Sequence, residues 1–392
     1  MTFLQELHRR GYAVVAILAL PFVLGIIPAA TAQATLITLH TFSGGADGAY
    51  SYAPLVQDRA GNLYGTTAGG GTFNMGTVYK IDPSGNETVL YSFKGRRDGG
   101  NPRSGLLLDA TGNLYGITAS GGTALNEGGV LFKLTPSGQE IILHAFSSSD
   151  GMGSASGLIR DSAGNFYGTT EGGGAHNVGV VFKLDPHGNY SILYSFTGRD
   201  GDGSEPFAGL VRDSAGNLYG TTFGGGQLGV GTVFKIDPLG NESILYSFLG
   251  GSDGSIPSST LVLDSAGNLY GTTDAGGTFN RGTVFEIDSG GNESILHTFG
   301  GTDDGASPFV GMARDKSGNL YGVTDGGGVD RHGSVFKLDS SGNETVLYSF
   351  TGGPDGARPE AALILDKSGN LYGTTLDHGK NGVGTVFVLR VP

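Results

Sequence analysis

The sequence predicts an all-β protein, a seven-bladed β-propeller built from four-stranded antiparallel blades. The segment Gly-Asn-(Leu/Phe)-Tyr-Gly occurs seven times, at intervals of 51 or 52 residues. A fixed period of about 50 residues is typical of propellers and other repeat arrays. Composition agrees, because 74 of the 392 residues are Gly and only 15% are charged, a bias towards turns and away from helices. The seven segments start at Gly61, Gly112, Gly164, Gly216, Gly267, Gly318 and Gly369.

Each period contains four short apolar runs rich in β-branched and aromatic residues, as strands are. In the fourth copy the runs are residues 209–213, 218–222, 232–237 and 243–248. Two junctions, DSAGN and DPLGN, have the Asp and Gly of tight hairpin turns. The other two junctions are long and are predicted to be loose. Alternation of strand direction then places both long loops of every blade on one rim, which we expect to be the functional face.

The repeated decapeptide DSAGNLYGTT is interpreted as structural. A phosphate-binding loop of the Walker type needs a Lys after its last Gly, and no copy has one. Tyr219 and its six equivalents are predicted to lie between neighbouring blades. Gly220 and its equivalents are predicted to let one sheet approach the next.

The two ends of the repeat region predict a closed ring. Residues 36–42 match an outer, fourth strand and precede the first full repeat, whereas the seventh repeat stops at a third strand, residues 384–390. Pairing of these two segments would complete the seventh blade. Joining ends about 350 residues apart costs on the order of 5 kcal/mol in loop-closure entropy, which an added strand and two buried blade faces offset.

The repeat unit GTVFKID…GNESILYSF…DG…P…LVLDSAGNLYGTT resembles the GloVer tandem repeat of exported bacterial proteins, a choice-of-anchor family, over residues 36–392. The resemblance implies an extracytoplasmic location and supplies no catalytic residues. The order GLVLD, turn, NLYGTT is also similar to NHL-type and gluconolactonase-like propellers, which implies that LVLD is the innermost strand and ILYSF the outermost.

Residues 1–34 are predicted to be a cleaved signal peptide, and residues 35–392 a single propeller domain. Arg9 and Arg10 precede an apolar run, residues 13–27, and Ala30-Thr31-Ala32 suits signal-peptidase cleavage. We therefore expect a periplasmic, cell-surface or secreted monomer without a membrane span after cleavage. The formal charge of −13 argues against nucleic acid as a partner. The chain has no Cys, so its core must supply its stability without disulfides.

Departures from the repeat are the candidates for chemistry, since a single reaction centre needs asymmetry. Acidic residues follow the second strand in four blades only, and the same loops carry three His. Carboxylates and imidazoles converging on a central mouth would suit a divalent cation such as calcium; ordinary solvated loop residues are the alternative, and no cofactor is firmly predicted. The acidic candidates are Glu171, Asp274, Asp325 and Asp377, and the His candidates are His176, His332 and His378.

Three Arg form a second asymmetric set, one residue before the final Asp of the predicted inner strand. They are Arg160, Arg212 and Arg314, where other blades have Gln57, Leu108, Leu263 and Leu365. Facing an axial channel, they would bind an anionic ligand through paired hydrogen bonds. Pairing with the adjacent turn carboxylates is the alternative.

The leading hypothesis is an exported, non-catalytic propeller that binds a small molecule, a carbohydrate or cell-envelope polymer, or a protein through its long-loop rim. A metal-assisted hydrolase, lactonase or lyase with its centre at the axial mouth is one alternative. A structural or adhesive surface protein is the other.

Overall fold

A computed structural model describes residues 34–122, 128–153 and 156–392. Within these residues the chain forms seven four-stranded antiparallel sheets, which confirms the all-β, seven-bladed propeller. One short 3₁₀ helix, Arg96–Asp98, is also present in the described residues. The predicted signal peptide lies outside the described residues except for Ala34, and no described helix has the length and apolar character that a membrane crossing requires.

In every blade the strands are hydrogen-bonded in the order inner, second, third and outer. The inner strands are Val56–Gln57, Leu107–Leu108, Ile159–Arg160, Val211–Arg212, Val262–Leu263, Ala313–Arg314 and Ile364–Leu365. The second strands are Leu63–Thr67, Leu114–Ile117, Phe166–Thr170, Leu218–Thr222, Leu269–Thr273, Leu320–Thr324 and Leu371–Thr375. The third strands are Thr77–Ile81, Val130–Leu134, Val180–Leu184, Thr232–Ile236, Thr283–Ile287, Ser334–Leu338 and Thr385–Arg390. The outer strands are Glu87–Ser92, Glu140–Ala145, Tyr190–Ser195, Glu242–Ser247, Glu293–Thr298, Glu344–Ser349 and, in blade 7, Thr35–Thr41.

The N-terminal strand closes the ring, as predicted. Thr35–Thr41 pairs antiparallel with Thr385–Arg390, in a register that places Ile37 opposite Val388. The amide of Phe42 continues the ladder by donating to the carbonyl of Gly384 at 3.1 Å. The first and last described strands therefore belong to one sheet, and no edge is left between blades 7 and 1.

The tight turn between inner and second strands is held by its Asp. In blade 4, Asp213 accepts hydrogen bonds from the backbone and side-chain amides of Asn217, at 2.8 and 2.6 Å, and from the hydroxyl of Tyr219 at 3.0 Å. The same Tyr-to-Asp bond occurs in all seven blades, at 3.0–3.3 Å. Each of these Tyr packs into the apolar cluster shared with the next blade, which confirms the predicted placement.

The glycine of the second strand has a different role from the predicted one. A Cβ at Gly220 would lie 2.6 Å from the ring of Phe234, the residue opposite it on the third strand, and 3.0 Å from Leu210. The glycine therefore makes room for an aromatic ring of its own blade and not for the backbone of a neighbouring sheet. That ring in turn meets, edge to face, the fully buried Phe that follows the outer strand of the preceding blade: Phe196 and Phe234 have centroids 5.1 Å apart.

The long loops predicted to be loose are tied to each other. In each blade the loop that enters the inner strand pairs with the loop that follows the second strand, through a single bridge such as Ser255 with Ala275 or, in blade 4, through Gly203–Ser204 with Gly224–Gly225. The loop rim is thus a hydrogen-bonded layer. Side chains on this hydrogen-bonded layer therefore have defined positions.

Candidate functional site

An axial cavity of about 460 Å³ opens at the long-loop rim, and residues of all seven blades line it. Its floor is apolar, formed by the inner-strand side chains Leu106, Leu158, Leu210, Leu261 and Met312. A cavity of this size suits a small molecule. The loop that enters each inner strand supplies the wall.

These entry loops share one architecture, an Asp-Gly pair followed by an Xaa-Pro-Yaa corner in blades 2, 4, 5, 6 and 7. In blade 5, Asp253 accepts hydrogen bonds from the Tyr246 hydroxyl at 3.1 Å and the Leu249 amide at 2.8 Å. Ile256, the Xaa residue, has a φ of 60°; its amide donates to Val230 of the preceding blade, and its carbonyl accepts from Asp274. The backbone is thereby held from both sides, and the Yaa residue, Ser258, lies on the cavity wall.

The same two backbone hydrogen bonds hold the residue equivalent to Xaa in six blades. The Yaa position, by contrast, differs in nearly every blade: Tyr52, Arg103, Phe207, Ser258, Phe309 and Glu360 all line the cavity. In blade 3 the equivalent residue, Ala155, lies outside the described residues. A repeated backbone therefore presents different chemistry at one ring of positions around the axis.

The wall has an aromatic side and a polar side. Phe207 of blade 4 and Phe309 of blade 6 meet edge to face with centroids 5.4 Å apart, across Ser258 of blade 5. The polar side comes from blades 7, 1 and 2. There the Arg103 guanidinium of blade 2 lies over the Tyr52 ring of blade 1, 5.1 Å from its centroid. Glu360 of blade 7 lines the cavity on the other side of blade 1.

Two of the predicted metal ligands, Asp325 and Asp377, converge on a cation that the sequence analysis did not select. Arg358, the Xaa residue of blade 7, contacts Asp325 at 3.0 Å, Glu360 at 2.6 Å and Asp377 at 3.7 Å. His378 pairs with Asp377 at 2.8 Å, and its ring lies 5.0 Å from that of His332. The structure thus brings Asp325 and Asp377 to one guanidinium at the edge of the mouth, with His378 next to Asp377 and His332 next to His378. Burial raises the pKa of Glu360 to about 7, assisted by the charges of Asp325 and Asp377 and opposed by Arg358.

The other two predicted carboxylates lie elsewhere on the rim. Glu171 is partly buried, which raises its pKa to about 7 although Arg103 acts in the opposite direction. Burial also raises the pKa of Asp274, against a hydrogen bond from Ser307. His176 lies exposed at the tip of its loop. No group of three His, Asp or Glu within residues 34–122, 128–153 and 156–392 has the arrangement of a metal site. Metal binding by these residues stays a prediction.

The three predicted Arg lie at the opposite end of the axis. Arg160, Arg212 and Arg314 line one cavity of about 810 Å³ at the tight-turn rim. Arg314 contacts the turn carboxylate of the preceding blade, Asp264, at 3.7 Å. The two sets of candidates, acidic with His and basic, therefore occupy different ends of the channel.

The residues that the sequence analysis missed are those of the Xaa-Pro-Yaa corner. Their signal was available: aligning the seven repeats shows an invariant Asp-Gly followed three residues after the Gly by Pro in five copies. Four different residue types come directly after that Pro. Arg358 and Glu360 belong to this corner in blade 7. Only the geometry shows that the variable position faces the axis.

Seven four-stranded blades closed around an axial cavity define a β-propeller. The chain belongs to the Gloeobacter/Verrucomicrobia repeat family, whose model matches residues 24–210 and 199–387. No curated protein matches the chain.

Several solved structures are similar to the chain at low sequence identity. The extracellular domain of a putative one component system from B. thetaiotaomicron is 11% identical, with a TM-score of 0.58; the match covers 90% of this chain and 39% of that one. A gluconolactonase from Xanthomonas campestris is 15% identical, with a TM-score of 0.46, and the match covers 92% and 90% of the two chains. At 11% identity the likeness to the extracellular domain concerns the fold alone.

Proposed function

We propose that the protein is an exported, non-catalytic propeller that binds one small amphipathic ligand in the axial cavity at its long-loop rim. The observation that carries this proposal is the ring of Yaa residues, where six equivalent backbone positions present five residue types to one cavity. A ring that served only to hold the blades together would need one well-packing residue at every copy. Divergence concentrated on the cavity wall favours recognition of an asymmetric ligand.

The two sides of the wall define the ligand chemistry. Phe207 and Phe309 offer ring faces and edges to an apolar body above the Leu and Met floor. Tyr52, Arg103 and Glu360 offer hydroxyl, guanidinium and carboxyl groups to polar substituents. A glycoside with an apolar aglycone meets both requirements, because sugar hydroxyls pair with such groups while the C–H faces pack on aromatic rings.

The ion pairs of Arg358 support binding over metal-assisted hydrolysis. The Arg358 guanidinium, 3.0 Å from Asp325 and 2.6 Å from Glu360, partly compensates the carboxylates that a divalent cation would need. Metal analysis of the purified protein tests the hydrolase hypothesis directly. One divalent ion per chain, lost together with a hydrolytic activity on Asp325→Asn, would support the enzyme and count against the binding protein.

Phenyl β-glucoside and a panel of aryl and alkyl glycosides test the proposal by calorimetry and thermal shift. We expect saturable binding of one ligand per chain, weakened at least tenfold by Phe207→Ala because the ring face is lost. Phe279→Ala is the matched control: Phe279 is 60% exposed and does not line the cavity. Absence of binding throughout the panel, or equal weakening by both substitutions, would contradict the proposal.

A further inference from the structure

We propose a second site, for a small multivalent oxyanion, at the tight-turn end of the axial channel. The guanidinium groups of Arg160, Arg212 and Arg314 line its cavity of about 810 Å³. The site is separate from the loop-rim cavity and does not depend on the function proposed above. Its ligand carries carboxylate or phosphate groups, which the guanidinium groups recognise.

The three guanidiniums occupy equivalent positions in blades 3, 4 and 6. Each lies over the glycine of its own inner turn: a Cβ at Gly164, Gly216 or Gly318 would be 3.3, 2.9 or 3.3 Å from the respective Nη2 atom. Because glycine has no Cβ, the guanidinium can lie against the turn at this position. Because the inner turns lie around the channel opening, the three cations lie on the side of it that blades 3 to 6 form.

Two of the guanidiniums, those of Arg160 and Arg212, have no carboxylate partner among the described residues. Arg160 lies 5.0 Å from the Phe166 ring centroid and 5.7 Å from that of Tyr115, and its Nε donates to the carbonyl of Gly164 at 3.4 Å. Within the described residues, neither Arg160 nor Arg212 has a carboxylate within 4.0 Å, in a chain with 36 acidic residues. The outer nitrogens of such a group are free for a bidentate oxyanion, and its stacking reduces the entropy lost on binding.

Arg314 is the partial exception. Its Nη2 lies 3.7 Å from Asp264, and its guanidinium lies 5.4 Å from the Tyr270 centroid. That contact is longer than a hydrogen bond, so the guanidinium keeps donors for an anion.

Two carboxylates also line the cavity, but they are engaged in their turns. Asp161 accepts hydrogen bonds from the backbone and side-chain amides of Asn165 and from the hydroxyl of Tyr167, at 2.8–3.0 Å. Asp315 makes the same bonds in blade 6. With three Arg against two Asp, the lining has an excess of positive charge, and the two carboxylates already accept hydrogen bonds within their turns.

An apolar constriction separates this site from the loop-rim cavity. Ile159, Leu210, Leu261 and Met312 line both cavities and therefore lie between them. A charged ligand entering from the tight-turn rim would lose its hydration at these side chains without compensation. The anion therefore stays at the Arg end, and the two sites take different ligands.

Calorimetric titration of the full chain with citrate and with inorganic phosphate, at about 20 mM salt to limit screening, tests the proposal; sodium chloride serves as the monovalent comparison. We expect one anion to bind per chain, with different affinities for citrate and phosphate. The affinity should fall as the salt concentration rises. Saturable binding of either anion supports the site and identifies the carboxylate or phosphate source. Absence of saturable binding for both would overturn it.

The variants use residues that other blades already have at this position. Arg→Leu copies Leu108, Leu263 and Leu365, so folding should persist, which thermal unfolding checks. We expect at least a tenfold loss for Arg212→Leu and complete loss for the triple Arg160, Arg212 and Arg314 variant. A control removing the same charge is the triple Arg97, Arg199 and Arg331→Gln variant, since these exposed loop residues line neither cavity. If both triple variants lost the same anion affinity, the binding would depend only on the net charge of the protein. That result would contradict the proposed site. Glycoside binding at the other rim should survive in both, which separates this proposal from the proposed function.

Discussion

Phe42, the residue after the N-terminal strand, packs edge-on against Tyr79 of blade 1, with ring centroids 5.2 Å apart. Equivalent aromatic pairs occur at the other six blade interfaces, at 5.1–5.3 Å. The contact between blades 7 and 1 is therefore built like every internal interface. The chain start supplies its aromatic ring, and the third strand of the first full repeat receives it.

Phe42→Ala is expected to destabilise the domain by about 3–5 kcal/mol, because it removes a fully buried ring and leaves a cavity. Phe196→Ala, at the interface of blades 3 and 4, should cost a similar amount. Phe73→Ala is the control: the side chain is 50% exposed, and its loss should change stability by less than about 0.5 kcal/mol. Urea unfolding measures all three. A Phe42 cost near that of Phe73 would show that blade 7 is not closed by this ring.

The turn carboxylates provide a test of the Tyr-to-Asp bond. Asp213 and Asp237 both hold Asp-Xaa-Xaa-Gly-Asn turns, but only Asp213 also accepts a hydrogen bond from a Tyr. We expect Asp213→Ala to cost about 1–2 kcal/mol, since the Tyr219 hydroxyl loses its partner between two blades. Asp237→Ala should cost less, because its turn faces solvent. Chemical unfolding of the two variants decides this, and equal costs would contradict the role assigned to Tyr219.

Stability should be greatest at mildly acidic pH. Burial raises the pKa of the glutamates that begin the outer strands, to about 7 for Glu242, where the charge of Asp202 adds to the effect and Oε1 has no hydrogen-bond partner. The stability from a raised carboxyl pKa is fully present below its ordinary value of 4.5 and is lost as pH rises towards 7. The turn carboxylates act in the opposite sense: although burial opposes it, hydrogen bonds from Asn217 and Tyr219 lower the pKa of Asp213, so its contribution is lost as pH falls below 3.8.

Melting temperature measured from pH 3 to pH 9 therefore should pass through a maximum at about pH 5. Glu242→Gln should reduce the decline between pH 5 and pH 8 while leaving the acidic limb unchanged. The same position is Leu36 in blade 7 and Tyr190 in blade 3, so a neutral residue is compatible with the fold. A Gln variant with an unaltered alkaline limb would show that Glu242 has the same pKa in the folded and the unfolded chain, which contradicts the prediction.

Arg358 is predicted to suppress cation binding at the loop rim. Removing it with Arg358→Gln leaves Asp325, Glu360 and Asp377 without their counter-ion. We expect calcium binding to appear in the variant with a Kd on the order of 1 mM or tighter, and to be at least tenfold weaker in the unmodified protein. Arg331→Gln, at an exposed loop position without a described ion pair, is the charge-matched control. Stoichiometric calcium in the unmodified protein would instead support the metal-assisted hydrolase.

Repetition explains which features the sequence predicted well. The second strand 218–222 and the closing pair were predicted to within a residue, because seven copies repeat the same period and the chain ends contain complementary fractions of it. The inner strand was predicted over 209–213 but pairs only at Val211–Arg212, since its first part bends into the cavity wall. Strand patterns do not encode that bend.

The candidate site was predicted less well for a physical reason. Asp325 and Asp377 were recognised as departures from the repeat, but their partner Arg358 comes from a third loop, so the ion pairs depend on how three loops fold together. Phe207 and Phe309 are 102 positions apart and meet only because blades 4 and 6 both face the axis. Residues whose contact depends on how separate blades are arranged around the axis are not recognisable from local spacing.

The shared axial cavity exists only if the first and last strands close the ring. Because the chain has no cysteine, an introduced pair of cysteines can test this closure by forming a disulfide. Ile37→Cys with Val388→Cys places two thiols on residues that face each other across the closing strands. We expect a disulfide to form nearly completely under mild oxidation and to raise stability, by roughly 5 kcal/mol in the chain-entropy model for so long a loop. Ile37→Cys with Val346→Cys, in blade 6, should stay reduced. Failure of the first pair to cross-link in the folded protein, or cross-linking only between chains, would contradict the closed propeller and the cavity that depends on it.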